Sequence, residues 1–258
     1  MATTRVSVPV ETRAPTGETA AYVIGSDPAL LVDPAAATER LDAVADRQQV
    51  GHVAVTHHHP DHVGAVARYA ERHDATVWAR TGREEPFETA TGVAPHRTFR
   101  EGTTIPTGDG TVRVLDTPGH APEHVAFAHG DTMACGDLAV AEGSVAVAAP
   151  EGDLRAYLTS LRRMHALAPA QLLPGHGPVI DEVRPTVERL IAHRLARERR
   201  VLAAVDGGAR TVEDVCDGAY EKDLTGVRDL AEATVRAHLE KLAVEGRVRW
   251  DGVRARLE

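Results

Sequence analysis

The chain has 258 residues, 43% of them apolar and 26% charged, with 38 acidic against 29 basic side chains for a formal charge of -9. That length and apolar content suit one large or two unequal packed domains and exclude a disordered tail or a small stapled module. The acidic balance repels nucleic acid and anionic membrane as a whole, so any polyanion contact has to be local.

The charge is unevenly divided. Residues 1–183 carry 24 acidic and 14 basic side chains, and residues 184–258 carry 14 and 15. Two domains with those bounds are expected, the first at net -10 and the second at net +1. No run of 18 apolar residues occurs, and the start MATTRVSVPV lacks the marks of a signal peptide. A cytoplasmic protein that does not bind membranes is therefore expected. The two cysteines, Cys135 and Cys216, fall on opposite sides of the boundary without metal or redox spacing. No oligomer face is readable.

Short β-branched runs separated by turn clusters predict strands at Val6–Val10, Ala20–Ile24, Leu30–Asp33, His52–Val55, Thr76–Trp78, Val112–Leu115 and Val125–Ala128. Apolar residues three to four apart predict helices at Val63, Val66, Tyr69 and Ala70 and at Leu154, Tyr157, Leu158 and Leu161. Interleaved strands and helices imply a layered α/β domain. Residues 79–110 show no clean period and read as a long loop, a binding surface or lid. Beyond Pro185 the pattern is helical, with Thr211 and Asp214 as a capping box and a further helix from Arg228 to Val244. The chain ends in two short runs around Asp251-Gly252, a hairpin signal. Helices followed by a two-stranded ribbon resemble a winged-helix module.

The segment Thr56-His57-His58-His59-Pro60-Asp61-His62-Val63-Gly64 directly follows an apolar run. His57 and His59, two apart on a chain leaving a strand, project to the same side, and Pro60 permits a helix start that carries Asp61 and His62. One short segment can thus serve two neighbouring metal ions. Further candidate ligands are His120 in Thr117-Pro118-Gly119-His120, Asp137 in Gly136-Asp137 and His176 in Pro174-Gly175-His176-Gly177. Each stands beside glycine, which lets backbone approach a crowded centre. Alternation turns His58 away from its neighbours, so it is expected to support the loop. His124 suits a donor that supports a ligand, a substrate contact or a packed structural residue.

His-x-His-x-Asp-His, then Pro-Gly-His, Gly-Asp and a last Gly-His, in that order, resemble the metallo-β-lactamase superfamily over about residues 18 to 180. The resemblance implies an αββα sandwich of two mixed sheets with helices outside. It also implies one metal held by His57, His59 and His120, a second by Asp61, His62 and His176, and Asp137 bridging them. Asp33, in Leu31-Val32-Asp33-Pro34, matches the superfamily's early aspartate, which orients a ligand histidine without touching the metal. A donor set of nitrogen and oxygen without thiolate suits two zinc ions, and manganese or iron fit the same set. Two ions about 3.5 to 4 Å apart lower the pKa of a shared water to about 7, so a hydrolase using hydroxide is implied. Asp61 is then placed to accept a proton.

Departures narrow the subgroup. Gly175-His176-Gly177-Pro178 stands where the glyoxalase II type carries Gly-His-Glu-Tyr, which puts a glutathione thioester in doubt. Thr-Pro-Gly-His-x-x-x-His at 117–124, Leu-Pro-Gly-His-Gly-Pro at 173–178 and the C-terminal helices are most similar to the β-lactamase-like protein 2 family. Members of that family include single-strand-specific endoribonucleases.

With Asp251-Gly252 as a two-residue turn, Arg249 is expected opposite Arg254 and Arg247 opposite Arg256, four arginines on one face. Such a face needs an anion, either an RNA backbone or an acidic protein surface. Acidic residues along the last helix, Asp229, Glu232, Glu240 and Glu245, argue against duplex DNA. Three functions follow: a phosphodiesterase on single-stranded RNA, a hydrolase of a small thioester or ester, and a non-catalytic winged-helix protein with a structural metal. The hydrolases are favoured, with RNA ahead of small esters.

Overall fold

The computed structural model describes residues 2–221 and 223–258. The chain divides into two compact units. The first comprises Met1–Thr117, Glu123–Gly143 and Ala168–Val183, and the second Pro118–Pro122, Ser144–Leu167 and Arg184–Glu258.

The first unit holds β1 (Thr3–Pro9), β2 (Glu18–Ile24), β3 (Ala29–Val32), α1 (Glu39–Gln48), β4 (Val50–Ala54), α2 (Pro60–Val63), α3 (Val66–His73), β5 (Thr76–Arg80), α4 (Glu84–Thr91) and β6 (Arg97–Phe99). It continues with β7 (Thr104–Thr107), β8 (Gly110–Asp116), β9 (Val125–His129), β10 (Thr132–Gly136) and, later in the chain, β11 (Gln171–Pro174). One sheet has the order β1-β2-β3-β4-β5-β6 and the other β11-β10-β9-β8-β7. Both are mixed. In the first, β1, β2 and β3 run antiparallel and β3 to β6 parallel. In the second, only β10 and β11 are parallel.

Strand alternation builds two apolar layers. Ala20, Tyr22 and Ile24 of β2 and Leu30 and Val32 of β3 meet Val112, Val114, Val125 and Phe127 of the second sheet. The intervening Ala21, Val23 and Leu31 face the other way, with Val6 and Val8, onto Leu41 and Val44 of α1, Val66 and Tyr69 of α3 and Phe87 of α4. Covering the first sheet on both faces explains why β2 and β3 read as unbroken apolar runs. This is the mixed-sheet α/β fold expected from the sequence.

Residues 79–110 are not the long loop expected. They contain α4, β6 and β7. Each is too short to show a period: α4 buries only Phe87 and Thr91, β6 is three residues, and β7 alternates over four.

The second unit holds α5 (Leu154–Leu167), α6 (Val183–Asp206), whose first residue closes the first unit, α7 (Val212–Ala219), α8 (Arg228–Val244), β12 (Val248–Trp250) and β13 (Ala255–Leu257). Both bonds of the Thr211–Asp214 capping box form at the start of α7. Val201, Val205, Val215, Val235, Leu239, Leu242 and Val248 make its core.

The hairpin register corrects the expected pairing. Val248 faces Leu257, Arg249 faces Arg256 and Trp250 faces Ala255. The Asp251 carboxylate accepts from the backbone N–H groups of Val253 and Arg254, and Gly252 takes φ 93°. These bonds make a four-residue loop of 251–254, so Arg254 leaves the strand and the ladder shifts. A shift of two residues keeps the same side chains on each face, so Arg249 stands opposite Arg256 in place of Arg254, with Arg247 on the same side, while Arg254 moves into the loop. Arg249 forks onto Glu258 at 2.7 and 2.8 Å, and Arg247 reaches Glu198 at 3.3 Å. No helix among the described residues is long and apolar enough to cross a membrane.

Candidate metal centre

The centre grows from the ends of parallel strands. After β3 the chain turns at Asp33, which takes the left-handed φ of 52° that aspartate tolerates. Its buried carboxylate accepts the Thr56 backbone N–H at 2.6 Å, the Thr56 hydroxyl at 2.8 Å and His62 Nδ1 at 3.0 Å. Three bonds thus tie the loop after β4 to the end of β3. The Thr56 hydroxyl, spending its proton on Asp33, is the acceptor for His57 Nδ1 at 3.0 Å. His57 and His62 therefore both present Nε2 inward. His57 and His59 rings lie 4.5 Å apart, so the two do share a side.

Pro60 opens α2 and sets Asp61 and His62 on its first turn. His176 follows β11, and its Nδ1 donates to the Glu18 carbonyl at 2.8 Å. Its Nε2 stands 3.5 Å from Asp61 Oδ2 and 3.6 Å from Asp137 Oδ2. His62 Nε2 is 3.6 Å from Asp137 Oδ1. Within the first unit two overlapping groups of donor atoms result, His57 with His62 and Asp137, and Asp61 with His62 and His176, each within 4.8 Å.

Asp137 is delivered by an irregularity in the pairing of β10 with β11 at Gly136. A Cβ on Gly136 would strike the Thr56 side chain, and one on Gly175 would lie 2.7 Å from both Asp137 Oδ1 and His62 Cε1. Glycine is required at both by close approach. His124 is committed elsewhere: its Nε2 accepts the Asp137 backbone N–H at 3.1 Å while Nδ1 meets the Thr117 hydroxyl at 2.8 Å. It braces Asp137. His58 lies outside the donor groups, with its backbone N–H 3.0 Å from Glu123 Oε1. His120 lies on the Pro118–Pro122 segment of the second unit, where its Nδ1 donates to the Ala146 carbonyl at 2.7 Å.

Sequence reasoning missed Thr12, Thr56 and Glu123. Thr12, on the loop between β1 and β2, donates to Asp61 Oδ2 at 2.5 Å, and nothing in its sequence context signals this. Thr56 opens the histidine segment, and Glu123 precedes His124, but neither type belongs to a ligand pattern.

The electrostatics favour a cation. Burial alone would lower the His62 pKa, but the charge and hydrogen bond of Asp33, followed by Asp137 and Asp61, push it up to about 9. Burial would raise Asp61, yet the bond to His176, the charge of His62 and the Thr12 hydroxyl hold it well below the usual carboxylate range. The carboxylates push His62 and His176 toward the protonated form, a positive charge that a divalent ion would supply in its place. The residues also fit a metal by their orphaned atom. His62 Nε2 is buried without a hydrogen-bond partner, a costly arrangement unless something binds there.

The metallo-beta-lactamase superfamily profile matches residues 14–176. The chain belongs to that superfamily. It is 30% identical over 216 residues to a beta-lactamase-like protein 2 homolog of Drosophila melanogaster, covering 79% of this chain and 72% of that protein. It is 34% identical over 157 residues to thioesterase pkgB of Emericella nidulans, covering 60% and 42%. Among solved structures, the metallo-beta-lactamase family protein TTHA1429 of Thermus thermophilus matches with TM-score 0.81 and 26% identity over 99% of this chain and 98% of that one. TTHA1623, solved in a di-iron-bound form, matches with TM-score 0.58 and 30% identity over 72% and 98%. A superfamily hydrolase with a histidine and aspartate cluster suited to divalent metal follows.

Proposed function

We propose that the chain is a dinuclear metal-dependent hydrolase of a small acyl thioester or ester. The metal reading is carried by His62, whose buried Nε2 belongs to both donor groups. By the superfamily resemblance, His57, His59, Asp61, His62, His120, Asp137 and His176 would hold the two ions. Zinc suits neutral imidazoles with carboxylates, and manganese or iron fit the same set. Bound there, two ions supply activated water at neutral pH and stabilise oxyanion charge.

The chain's own residues do the rest. Asp33, Thr56 and the Glu18 carbonyl fix the ring orientations of His57, His62 and His176. Asp61, kept ionised by its neighbours and anchored by Thr12, is the group to accept a proton from water.

Thioester or ester moves ahead of RNA because, on the one RNA surface legible in the sequence, Arg247 and Arg249 already have acidic partners and Arg254 leaves the ladder. The likeness to a thioesterase supports the same direction. Single-stranded RNA stands as the second reading, favoured by the more extensive match to beta-lactamase-like protein 2 homologs. Within the second unit, α6, α7, α8 and the β12–β13 ribbon are read as a winged-helix-like module.

The test offers zinc-loaded protein a panel of acyl thioesters and aryl esters and, separately, end-labelled single-stranded RNA, with Asp61→Ala purified alongside. Thioester or ester turnover by the wild type alone supports the first reading. RNA cleavage by the wild type alone replaces it with the second. Inactivity on every substrate with two ions bound counts against both.

A further inference from the structure

The segment Pro174-Gly175-His176-Gly177-Pro178 carries its histidine between two glycines, and Gly177 takes the left-handed φ of 78°. Glycine loses more conformational freedom on folding than any other residue, so a side chain flanked by it keeps one position only if the surroundings hold the backbone. Much of that hold comes from the β1–β2 hairpin, at the other end of the sequence.

Strand β3 pairs with β2 from Tyr22 to Ile24. The start of β2 lies ahead of that pairing, and its backbone takes the histidine segment where a strand would otherwise stand. The Ala20 N–H donates to the Gly175 carbonyl at 2.8 Å, and the Glu18 carbonyl accepts His176 Nδ1 at 2.8 Å. Two side chains complete the hold. Tyr22 is 2% exposed and packs in the layer between the sheets, where its hydroxyl donates to the Pro174 carbonyl at 2.7 Å. Arg5, directly opposite Tyr22 in the β1–β2 ladder, donates Nη2 to the Gly177 carbonyl at 2.9 Å. Burial pushes the Tyr22 hydroxyl well above its usual range, so it remains a proton donor at neutral pH. The carbonyls on either side of Gly175-His176 are thus pinned by one cross-strand pair. The bond from Nδ1 to Glu18 sets the turn of the His176 ring, and the bonds from Tyr22 and Arg5 set where the backbone that carries it sits.

We propose that Tyr22 and Arg5 are positioning residues for the metal site, pinning the Pro174 and Gly177 carbonyls so that His176 Nε2 meets Asp61 and Asp137. The inference rests on the metallohydrolase reading. Neither side chain belongs to a donor group, so each acts only through the backbone it holds.

The experiment titrates zinc, against a chromophoric chelator, into chelator-stripped wild type, Tyr22→Phe and Arg5→Met, with Tyr69→Phe as control and thermal unfolding of each metal-free protein recorded in parallel. Tyr69 is likewise buried in the first unit, but its hydroxyl donates to Asp42 of α1, which belongs to neither donor group. Both phenylalanine variants therefore lose one tyrosine hydrogen bond, and only Tyr22→Phe loosens the His176 segment. Loss of a partner behind a metal ligand typically weakens metal binding about 10- to 100-fold. The expected result is a loss of about 10-fold for Tyr22→Phe and for Arg5→Met, the low end because both act through the backbone, with Tyr69→Phe within about threefold of wild type. Zinc affinity unchanged in Tyr22→Phe or in Arg5→Met overturns the proposal, and so does an equal loss in Tyr69→Phe, which would assign the effect to stability. If Tyr22→Phe does not fold, Arg5→Met against Tyr69→Phe decides alone. Wild type that takes up no zinc would instead overturn the metallohydrolase reading, a failure distinct from equal affinities across the series.

Discussion

His62 donates its Nδ1 proton to the Asp33 carboxylate across 3.0 Å, with the two side chains 0% and 2% exposed. The same carboxylate receives the backbone and hydroxyl of Thr56, so one residue at the end of β3 fixes both ends of the ligand segment.

Asp33→Ala is expected to strand three buried donors, the Thr56 N–H, the Thr56 hydroxyl and His62 Nδ1–H, at a cost on the order of 3 kcal/mol or more. Asp33→Asn retains an acceptor and should fall between alanine and wild type. Zinc affinity should drop about 10- to 100-fold in the alanine variant. Urea unfolding and zinc titration of the three proteins check this, and equal zinc affinity would mean that His62 needs no orienting partner.

Gly175→Ala places a methyl 2.7 Å from Asp137 Oδ1 and from His62 Cε1. Neither can yield without leaving the donor group. Zinc content after gel filtration should fall below that of wild type while far-ultraviolet circular dichroism is retained. Full zinc content would show that the centre relaxes around the added carbon.

Stability of the second unit should decline in acid because of His238. Burial, then Arg194, Arg197, Lys241 and His193, push its pKa down to about 3, and neither ring nitrogen has a hydrogen-bond partner. The folded state resists the proton that the unfolded chain accepts near pH 6.5. Its contribution is therefore complete above pH 6.5 and diminishes as pH falls from there toward 3, with a slope approaching about 1.4 kcal/mol per pH unit. Each unit contains one tryptophan, Trp78 or Trp250. Urea unfolding followed by Trp250 fluorescence in a Trp78→Phe background should show a shallower acid slope for His238→Leu. Identical slopes would place the acid sensitivity elsewhere.

Replacing Arg249 and Arg254 together by glutamate should leave thioester or ester turnover unchanged and should not alter the salt dependence of any RNA binding, since Arg249 is already paired with Glu258. Filter binding at several salt concentrations reads this. A markedly flatter salt dependence in the double variant would return the hairpin to a phosphate-contacting role.

Much of the centre was legible because metal chemistry restricts residue type. His57, Asp61 and His62 stand out in one histidine-rich segment after a strand, and Asp137 and His176 as ligand types beside glycine, and the structure brings their donor atoms together. Asp33 was legible only through the superfamily resemblance. Thr12 and Glu123 were not, because a hydrogen-bonding threonine or glutamate obeys no spacing rule and is defined only by what folds against it.

Local period and residue type were enough for β1 to β5, β8 and β9, for the capped helix after Thr211 and for the chemistry of the candidate ligands. Tertiary structure alone decided that residues 79–110 form α4, β6 and β7, since elements that short are stabilised by distant partners such as the Phe87 cluster. It also decided the hairpin register, where the Val253 and Arg254 N–H groups donating to the Asp251 carboxylate outweighed the shorter turn that Asp-Gly suggests. In each case the deciding energy lies in contacts between residues whose partners the linear order does not reveal.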